Sequence, residues 1–187
     1  NTTAYAYDVM GNLTGIRYPD GGTEERIYRN GRLAEHRKAD GSAMRYAYDA
    51  NGNCICMENG IGEKLSITYD ALDRRETVTD PDGGIVRYEY DALGNMIRMT
   101  DGNGNETRYT YTPNGNLSSV TDALGNETWY TYDPMGDPLK IERMGENGEI
   151  QTTTYQWDTR GRVTSIKDPL GAEEFFGYDR NGRLTDK

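Results

Sequence analysis

Aromatic residues recur along the chain, mostly in pairs separated by one residue, and a polar residue follows each pair. Residues 88–95, for example, read YEYDALGN, with Tyr88 and Tyr90 on either side of Glu89. Side chains at positions i and i+2 of an extended strand lie on the same face, so each pair predicts a strand with one aromatic face. The second aromatic of the pair, which we call the corner aromatic, occurs in nine copies: Tyr7, Tyr28, Tyr48, Tyr69, Tyr90, Tyr111, Tyr132, Trp157 and Tyr178.

The residue after each corner aromatic, the corner residue, marks a predicted turn. It is usually aspartate, and a glycine usually stands three residues after it. Aspartate at the first position and glycine at the fourth are typical of a type I turn, because aspartate accepts hydrogen bonds from nearby backbone N–H groups and glycine adopts a positive φ. The pattern predicts a hairpin connection of three to five residues with a bulge at the glycine. These turn residues are Asp8, Asp49, Asp70, Asp91, Asp133, Asp158 and Asp179, with Gly11, Gly52, Gly94, Gly115, Gly136, Gly161 and Gly182.

Three copies depart from this corner pattern. The second copy has Arg29 as its corner residue, is one residue short and brings its glycine forward to Gly31. The sixth copy has Thr112 at the corner, and the fourth has Asp73 in place of the glycine. Aspartate tolerates the left-handed conformation better than most residues, so the fourth copy is still expected to turn.

In the regular copies a second turn signal follows ten residues after the corner residue, and in the shortened copy Lys38 and Gly41 have the same roles. In the fifth copy it runs from Asp101 to Gly104, and in the seventh copy the same offset gives Arg143 and Glu146. Each copy therefore predicts two antiparallel strands of about six residues joined by tight turns. In the second strand the apolar residues stand three apart, which requires either a bulge or partial cover on both faces of the sheet.

The corner residues are 21 residues apart, except for one interval of 20 and one of 25. Nine copies fill residues 1–187, which predicts a single repeat array with no second domain. Eighteen strands in one open sheet are expected to curl, since twisted sheets of more than about ten strands rarely stay flat. The predicted fold class is therefore all-β: a curled antiparallel ribbon of hairpins, stabilised by contacts between neighbouring copies.

Composition and charge narrow the range of functions. Only 34% of the residues are hydrophobic and tyrosines outnumber phenylalanines by 15 to 2, which favours a thin core whose tyrosine hydroxyls reach polar surroundings. The formal net charge of −10 disfavours nucleic acid and anionic lipid as partners. No apolar run approaches 18 residues, so this segment is not expected to insert into a membrane.

The string YxYDxxGN, with a second DxxGN turn at a period of 21 residues, closely resembles the Rhs or YD-repeat family. The resemblance extends through all nine copies. It implies that the repeats form part of a spiral β-sheet that closes as a hollow shell, as in bacterial Rhs and polymorphic toxins, the BC components of Tc toxin complexes and teneurins. In the bacterial proteins the shell encloses a toxic C-terminal polypeptide. The chain begins within a copy at Asn1, and we expect it to be a piece of a longer, secreted or cell-surface bacterial protein whose remainder is its partner.

Candidate chemistry is sparse, and we expect no catalytic, metal-binding or cofactor-binding residues. The family includes an aspartyl autoprotease with a DPxGL-type motif, but the nearest string here, Asp168–Gly171, stands at an ordinary second turn. The sequence DGNGNE from Asp101 resembles the start of a calcium-binding EF-hand loop, yet its twelfth position is Thr112 rather than glutamate. Cys54 and Cys56 stand two apart in a predicted strand, where they are expected to lie on one face as small apolar residues.

A carbohydrate-binding or adhesive surface module is the alternative function. Exposed tyrosines with polar neighbours can stack on sugar rings, whereas tyrosines that cover one face of the sheet serve the fold. The exposure of the repeat tyrosines distinguishes the two. Tyrosines accessible in a groove would favour glycan binding, and stacked, covered tyrosines would favour a structural scaffold.

Overall fold

The computed structural model describes residues 2–145 and 147–186, and within them it contains β-strands and no helix. Seventeen strands belong to one antiparallel sheet, and the last two form a separate hairpin. The predicted all-β architecture of consecutive antiparallel hairpins is confirmed. The chain divides into two compact units, Asn1–Tyr88 with Asp101–Asn103, and Glu89–Thr100 with Gly104–Lys187.

In the first unit each strand pairs with the next one in the chain. The short turns leave antiparallel neighbours as the only accessible arrangement. The strands are β1 (Ala4–Tyr7), β2 (Leu13–Arg17), β3 (Thr23–Arg29), β4 (Arg32–Arg37), β5 (Ala43–Tyr48), β6 (Cys54–Asn59), β7 (Lys64–Tyr69), β8 (Arg75–Thr79) and β9 (Ile85–Tyr90).

The second unit repeats the same order. The first strand of the ninth copy is interrupted at Phe176, so the described residues contain nineteen strands rather than eighteen. The part before Phe176 pairs with the preceding strand of the chain, and the part after it pairs with the following strand. The strands are β10 (Met96–Thr100), β11 (Glu106–Tyr111), β12 (Leu117–Thr121), β13 (Glu127–Tyr132), β14 (Pro138–Met144), β15 (Ile150–Trp157), β16 (Val163–Lys167), β17 (Glu173–Phe175), β18 (Gly177–Tyr178) and β19 (Leu184–Asp186).

The regular turns share one backbone geometry. At the fifth corner, Asp91 N–H donates to the Asn95 carbonyl at 2.9 Å and Gly94 N–H donates to the Asp91 carbonyl at 3.1 Å. Gly94 has φ = +91°. A type I turn followed by a left-handed glycine bulge has this pattern. The second turns use it too, since Asp122 N–H donates to Asn126 and Gly125 N–H donates to Asp122, both at 3.0 Å.

In eight of the nine copies the described hairpin at the corner has a bulge in its second strand, which explains the apolar residues spaced three apart. Tyr111 pairs with Leu117 and Tyr109 pairs with Val120, while the register shifts between them. Because the shift inserts one extra residue, Leu117 and Val120 lie on the same face as the two tyrosines. Of the two alternatives that the sequence left open, the structure shows the bulge.

The same bulge makes the expectation for the cysteines wrong. Cys54 pairs with Tyr48, but Cys56 pairs with Ala47, and the register shifts between these two pairs. Neighbouring residues of a strand face opposite sides of the sheet, so the two cysteines do as well. Both are free thiols.

The corner turn of the second copy differs from the regular geometry. In the second copy Arg29 pairs directly with Arg32, and Asn30 and Gly31 have φ = 51° and 75°. Two consecutive residues with positive φ form the two-residue type I′ turn that asparagine–glycine sequences favour.

In the seventh copy the second turn begins at Gly145, whose carbonyl accepts a hydrogen bond from Gly148 N–H at 3.0 Å. The predicted start at Arg143 is wrong, because Arg143 lies within β14 and pairs with Gln151. The predicted end, Glu146, lies outside the described residues. The copy is four residues longer than the others, and the extra residues extend β14 and β15 without disturbing their register.

Burial is shallow throughout. Among the described residues only Ile67 and Ser165 are more than nine-tenths buried, with 6% and 3% of their surface exposed. A sheet without a second layer has no deep core, so the aromatic face is covered by its neighbours along the sheet. This agrees with the thin core that the tyrosine-rich composition predicts.

Candidate functional site: the corner aromatics

The corner aromatics link each copy to the copy before it. The Tyr48 hydroxyl donates to the Leu33 carbonyl at 3.0 Å. Leu33 is the residue that pairs with Tyr28, the preceding corner aromatic. The same link, 15 residues back in the chain, recurs in other copies: Tyr28 to Leu13 at 3.3 Å, Tyr69 to Cys54 at 3.0 Å, Tyr111 to Met96 at 2.9 Å and Tyr178 to Val163 at 2.9 Å.

Tryptophan makes the equivalent link in the lengthened copy. The Trp157 indole Nε1–H donates to the Pro138 carbonyl at 2.7 Å, 19 residues back. Pro138 pairs with Tyr132, so the acceptor again lies opposite the preceding corner aromatic. The four extra residues of this copy account for the longer separation. The requirement at this position is therefore a ring with a polar donor at its tip.

These rings are half-buried in the described strands. Burial raises the pKa of the Tyr48, Tyr111 and Tyr132 hydroxyls above the usual tyrosine value. Tyr7, in the first copy, differs because 61% of its surface is exposed. The other corner aromatics are half-buried against neighbouring strands.

The corner aspartates hold the turns. Asp91 Oδ1 accepts the N–H groups of Leu93 and Asn95, both at 2.9 Å, and Oδ2 accepts the Asn95 side-chain amide at 2.9 Å. Asp8 makes the same three kinds of bond. In the sixth copy, the Thr112 hydroxyl takes one of these roles by accepting Asn116 N–H at 3.1 Å. A side-chain acceptor at the corner is thus common to aspartate and threonine.

Such hydrogen bonds lower the pKa values of several turn carboxyls, among them Asp91 and Asp158. For Asp91 the largest cause is the Asn95 side chain. For Asp158 the Arg162 side chain is the largest cause, and it lowers the pKa to about 2. Asp122, at a second turn, is lowered by Asn126 in the same way. Each of these groups favours the ionised form in the folded chain.

Stability is expected to fall as the pH drops through these values. A carboxyl whose folded pKa lies below its unfolded value of about 3.9 stabilises the fold above pH 4, and this contribution is lost as the pH falls towards 2. Urea unfolding between pH 6 and pH 2 should show the loss. Asp158→Asn should reduce the slope of stability against pH between 4 and 2. An unchanged slope in this variant would contradict the role assigned to Asp158.

Side chains at the turns also reach the next copy. Asp73, with φ = 59°, accepts the side-chain amides of Asn51 at 2.8 Å and Asn53 at 2.6 Å. The Arg162 guanidinium carbon lies 4.6 Å from the centre of the Tyr178 ring, a cation–π distance. These side chains therefore join neighbouring turns at the ends of the strands.

A polar network in the second copy was not found from the sequence. Glu24 accepts the Tyr18 hydroxyl at 2.8 Å and Arg26 Nη2 at 3.1 Å, and His36 Nε2 lies 2.9 Å from the same carboxylate. His36 pairs with Arg26, where the third copy pairs Tyr46 with Met57. The chain's one histidine is thus part of a structural ion-pair network.

The strings that suggested other chemistry form ordinary turns. Asp101 Oδ1 accepts Asn103 N–H at 2.9 Å, and Asp168 Oδ1 accepts Leu170 and Ala172 N–H at 2.9 and 2.8 Å. In residues 2–145 and 147–186, no group of three or more His, Cys, Asp or Glu side chains is placed to hold a metal ion. No helix in the same ranges has the length and apolar character needed to span a membrane.

The family assignment follows from the sequence of the repeats. The RHS Repeat family model matches residues 1–23, 69–106, 90–127, 111–143 and 141–173, which together make up more than half of the chain. The chain belongs to the Rhs repeat family. The stretch 24–68, which contains the shortened copy of this Rhs array, lies outside the matches. Among curated proteins none matches the chain by sequence.

Solved structures share the fold of this Rhs chain. The crystal structure of TcdB2-TccC3-TEV aligns with a TM-score of 0.60 at 17% identity, and the Photorhabdus luminescens Tc holotoxin pore with a TccC3 mutation aligns with 0.65 at 17% identity. TcdB2-TccC3 without its hypervariable C-terminal region gives 0.61 at 18% identity. Each alignment covers 97% of this chain but only 12–13% of the other chain, so this chain spans about an eighth of their length.

Proposed function

We propose that this chain is a structural segment of a larger Rhs-type polypeptide, in which it forms part of the wall of a β-sheet shell around the parent's C-terminal polypeptide. The row of hydroxyl and indole hydrogen bonds between successive copies carries the proposal. These bonds join neighbouring hairpins side to side, which is the direction in which a wall must resist separation. Residues 1–187 act together as one repeat array.

The same contacts argue against two other functions. Five of the corner hydroxyls donate to backbone carbonyls within the sheet, so these five are not available to recognise a sugar. The Asp91 and Asp158 carboxylates accept hydrogen bonds from their own turns, and their lowered pKa values oppose a role as general acids at neutral pH. The array is a non-catalytic scaffold of a secreted or cell-surface bacterial protein.

The partner of this wall is the remainder of the parent polypeptide. Apolar side chains at the third position of several turns are strongly exposed in this chain: Leu72 (68%), Leu93 (82%), Leu124 (88%), Met135 (82%) and Leu170 (95%). The turns do not require an apolar residue at this position, because Asn51, Asp82 and Asn103 occupy it in other copies. In our proposal, other parts of the parent polypeptide pack against these side chains, which explains why they are apolar.

Protease protection in the complete parent polypeptide tests the enclosure. We expect its C-terminal segment to resist added trypsin while the repeat sheet is intact, and to be cleaved faster when Tyr48→Ala and Tyr111→Ala weaken the wall. The Tyr→Phe variants at the same positions keep the rings and serve as controls. Equal cleavage of the C-terminal segment in wild type and both variants would show that the sheet does not enclose it.

A further inference from the structure

The corner turn of the second copy contains an asparagine–glycine pair in a setting that differs from the regular corners. Asn30 and Gly31 are the two central residues of the type I′ turn, with φ = 51° and 75°, and both are exposed. Their neighbours Arg29 and Arg32 pair across the hairpin. The turn therefore presents the Asn30 side chain and the Gly31 backbone to solvent at the tip of a two-residue hairpin.

The Gly31 N–H has no hydrogen-bond acceptor. In a two-residue hairpin the closing bonds run between the residues on either side of the turn, here Arg29 and Arg32, and the N–H of the second turn residue is not used. Within residues 2–145 and 147–186, neither the Gly31 N–H nor the Asn30 side chain forms a hydrogen bond with the protein. Nothing in this part of the chain therefore holds the two groups apart.

Other asparagine–glycine pairs of the chain lie in regular turns, where the glycine N–H is engaged. Gly52 N–H donates to the Asp49 carbonyl at 3.3 Å and to Asp49 Oδ1 at 2.7 Å, and the Asn51 side chain donates to Asp73 at 2.8 Å. The glycines after three further asparagines donate to the carbonyl of the first turn residue in the same way: Gly115 to Thr112 at 2.9 Å, Gly148 to Gly145 at 3.0 Å and Gly182 to Asp179 at 3.1 Å.

The pair at Asn59 is restrained through the asparagine side chain. Asn59 Oδ1 accepts the N–H groups of Ile61 at 3.1 Å and Glu63 at 3.0 Å, and Nδ2 donates to Glu63 Oε2 at 2.6 Å. These three bonds must break before the side-chain amide can turn onto the nitrogen of Gly60. The corner of the second copy lacks both kinds of restraint.

We propose that Asn30 is a site of spontaneous deamidation, at which the Gly31 nitrogen attacks the asparagine side chain and the turn slowly gains an aspartate or an isoaspartate. Glycine at the next position favours the attack because no Cβ stands beside the nitrogen. A peptide nitrogen becomes nucleophilic only after it loses its proton, since its lone pair is delocalised into the carbonyl. The Gly31 N–H can lose its proton to water or hydroxide without first breaking a hydrogen bond.

The reaction needs only water and conserves atoms and oxidation state. The Gly31 nitrogen forms a bond to Asn30 Cγ, the side-chain nitrogen leaves as ammonia with the displaced proton, and a succinimide ring closes. Water then opens the ring at either carbonyl. Breaking the new N–Cγ bond gives aspartate, and breaking the original peptide bond gives isoaspartate, in which the main chain passes through the former side chain.

The two products have different effects on the hairpin. Aspartate tolerates the left-handed conformation, as Asp73 with φ = 59° shows in this chain, so the type I′ turn keeps its geometry and gains a negative charge beside Arg29. Isoaspartate adds a methylene group to the backbone of a two-residue turn. The direct pairing of Arg29 with Arg32 is then lost, because loop length fixes the register of a hairpin.

Deamidation rates in the 187-residue chain test the proposal. The folded chain is incubated at mildly alkaline pH and digested with a protease specific for glutamate, and the peptides are followed by mass spectrometry. Peptide 26–35 reports on Asn30, and labelling by isoaspartate methyltransferase identifies the isoaspartate product. We expect Asn30 to deamidate about fivefold faster than Asn51 or Asn114, the factor that one hydrogen bond of ordinary net strength provides.

Two controls separate the effect of the turn from that of the sequence. Replacing residues 29–32 by the regular corner 49–53 keeps an asparagine–glycine pair but places it in a turn whose glycine N–H is bonded, so deamidation should slow to the rate of Asn51. Far-UV circular dichroism verifies the sheet of the exchanged chain. In urea, where the turns unfold, the rates at Asn30, Asn51 and Asn114 of the unaltered chain should become nearly equal.

Three results would overturn the proposal. Deamidation of Asn30 in the folded chain at the rate of Asn51, or more slowly, would show that the unbonded N–H does not control the reaction. An unchanged rate after the 29–32 exchange, in a chain that keeps its sheet, would show that the turn is not the cause. A rate difference that persists in urea would assign the effect to neighbouring residues and not to the fold.

Discussion

Replacing Tyr111 by alanine is expected to lower the free energy of unfolding by about 2–3 kcal/mol, less than the 3–5 kcal/mol typical of a fully buried aromatic because this ring is half-buried. The variant loses two interactions. The ring packs on the face that Leu117 and Val120 share with it, and its hydroxyl donates to the Met96 carbonyl at 2.9 Å. Urea unfolding followed by far-UV circular dichroism measures the change.

Two controls divide this loss into its parts. Tyr111→Phe keeps the ring and should cost only about 0.5–1.5 kcal/mol, the net value of one hydrogen bond. Tyr7→Ala removes the corner aromatic of the first copy, whose ring is mostly exposed, and should change stability by about 0.5 kcal/mol or less. If Tyr7→Ala cost as much as Tyr111→Ala, the links to the preceding copy would not be what the corner aromatics contribute.

Much of the fold could be predicted because its signals are local. Asp91 and Gly94 lie three residues apart, and a turn needs only those side chains and their backbone. The alternation of Tyr88 and Tyr90 sets a strand face without reference to distant residues. A pattern repeated at a constant interval then fixes which strands are neighbours, because tight turns leave no other choice.

Features that depend on register were harder to predict. The bulge after Cys54 adds one residue and reverses the face of every residue beyond it, which is why Cys56 does not lie beside Cys54. The spacing of Leu117 and Val120 indicated a bulge, but a strand with both faces partly covered explained the same spacing. In the seventh copy the second turn does not begin ten residues after the corner, because two of the four extra residues lengthen β14 and move the turn to Gly145.

The partners of the corner hydroxyls could not be predicted from the sequence at all. Tyr48 donates to the backbone of Leu33, and a carbonyl acceptor has no sequence signature, since every residue has one. The pairing of Arg29 with Arg32 could not be predicted for a related reason. The short copy was recognised as an irregularity, yet only the pairing of Arg29 with Arg32 shows that two like charges meet there.

Replacing Gly94 by valine is expected to lower the free energy of unfolding by about 2 kcal/mol. Gly94 has φ = +91°, a conformation that costs non-glycine residues about 1–3 kcal/mol and β-branched residues the most. No atom lies within 4 Å of the position that a Cβ would take, so the loss arises from the backbone and not from a clash. Thermal and urea unfolding of the variant measure it.

Gly94→Asn is the matched control, because Asn30 and Asp73 adopt φ = 51° and 59° at turns of this chain. It should therefore cost clearly less than Gly94→Val, although both variants add a side chain at the same open position. Asp91→Ala removes the side-chain acceptor from this turn and leaves its backbone path open, so it should also cost less than valine. Equal and negligible effects of Gly94→Val and Asp91→Ala would contradict the turn geometry, since a corner without a left-handed residue would not distinguish valine from glycine.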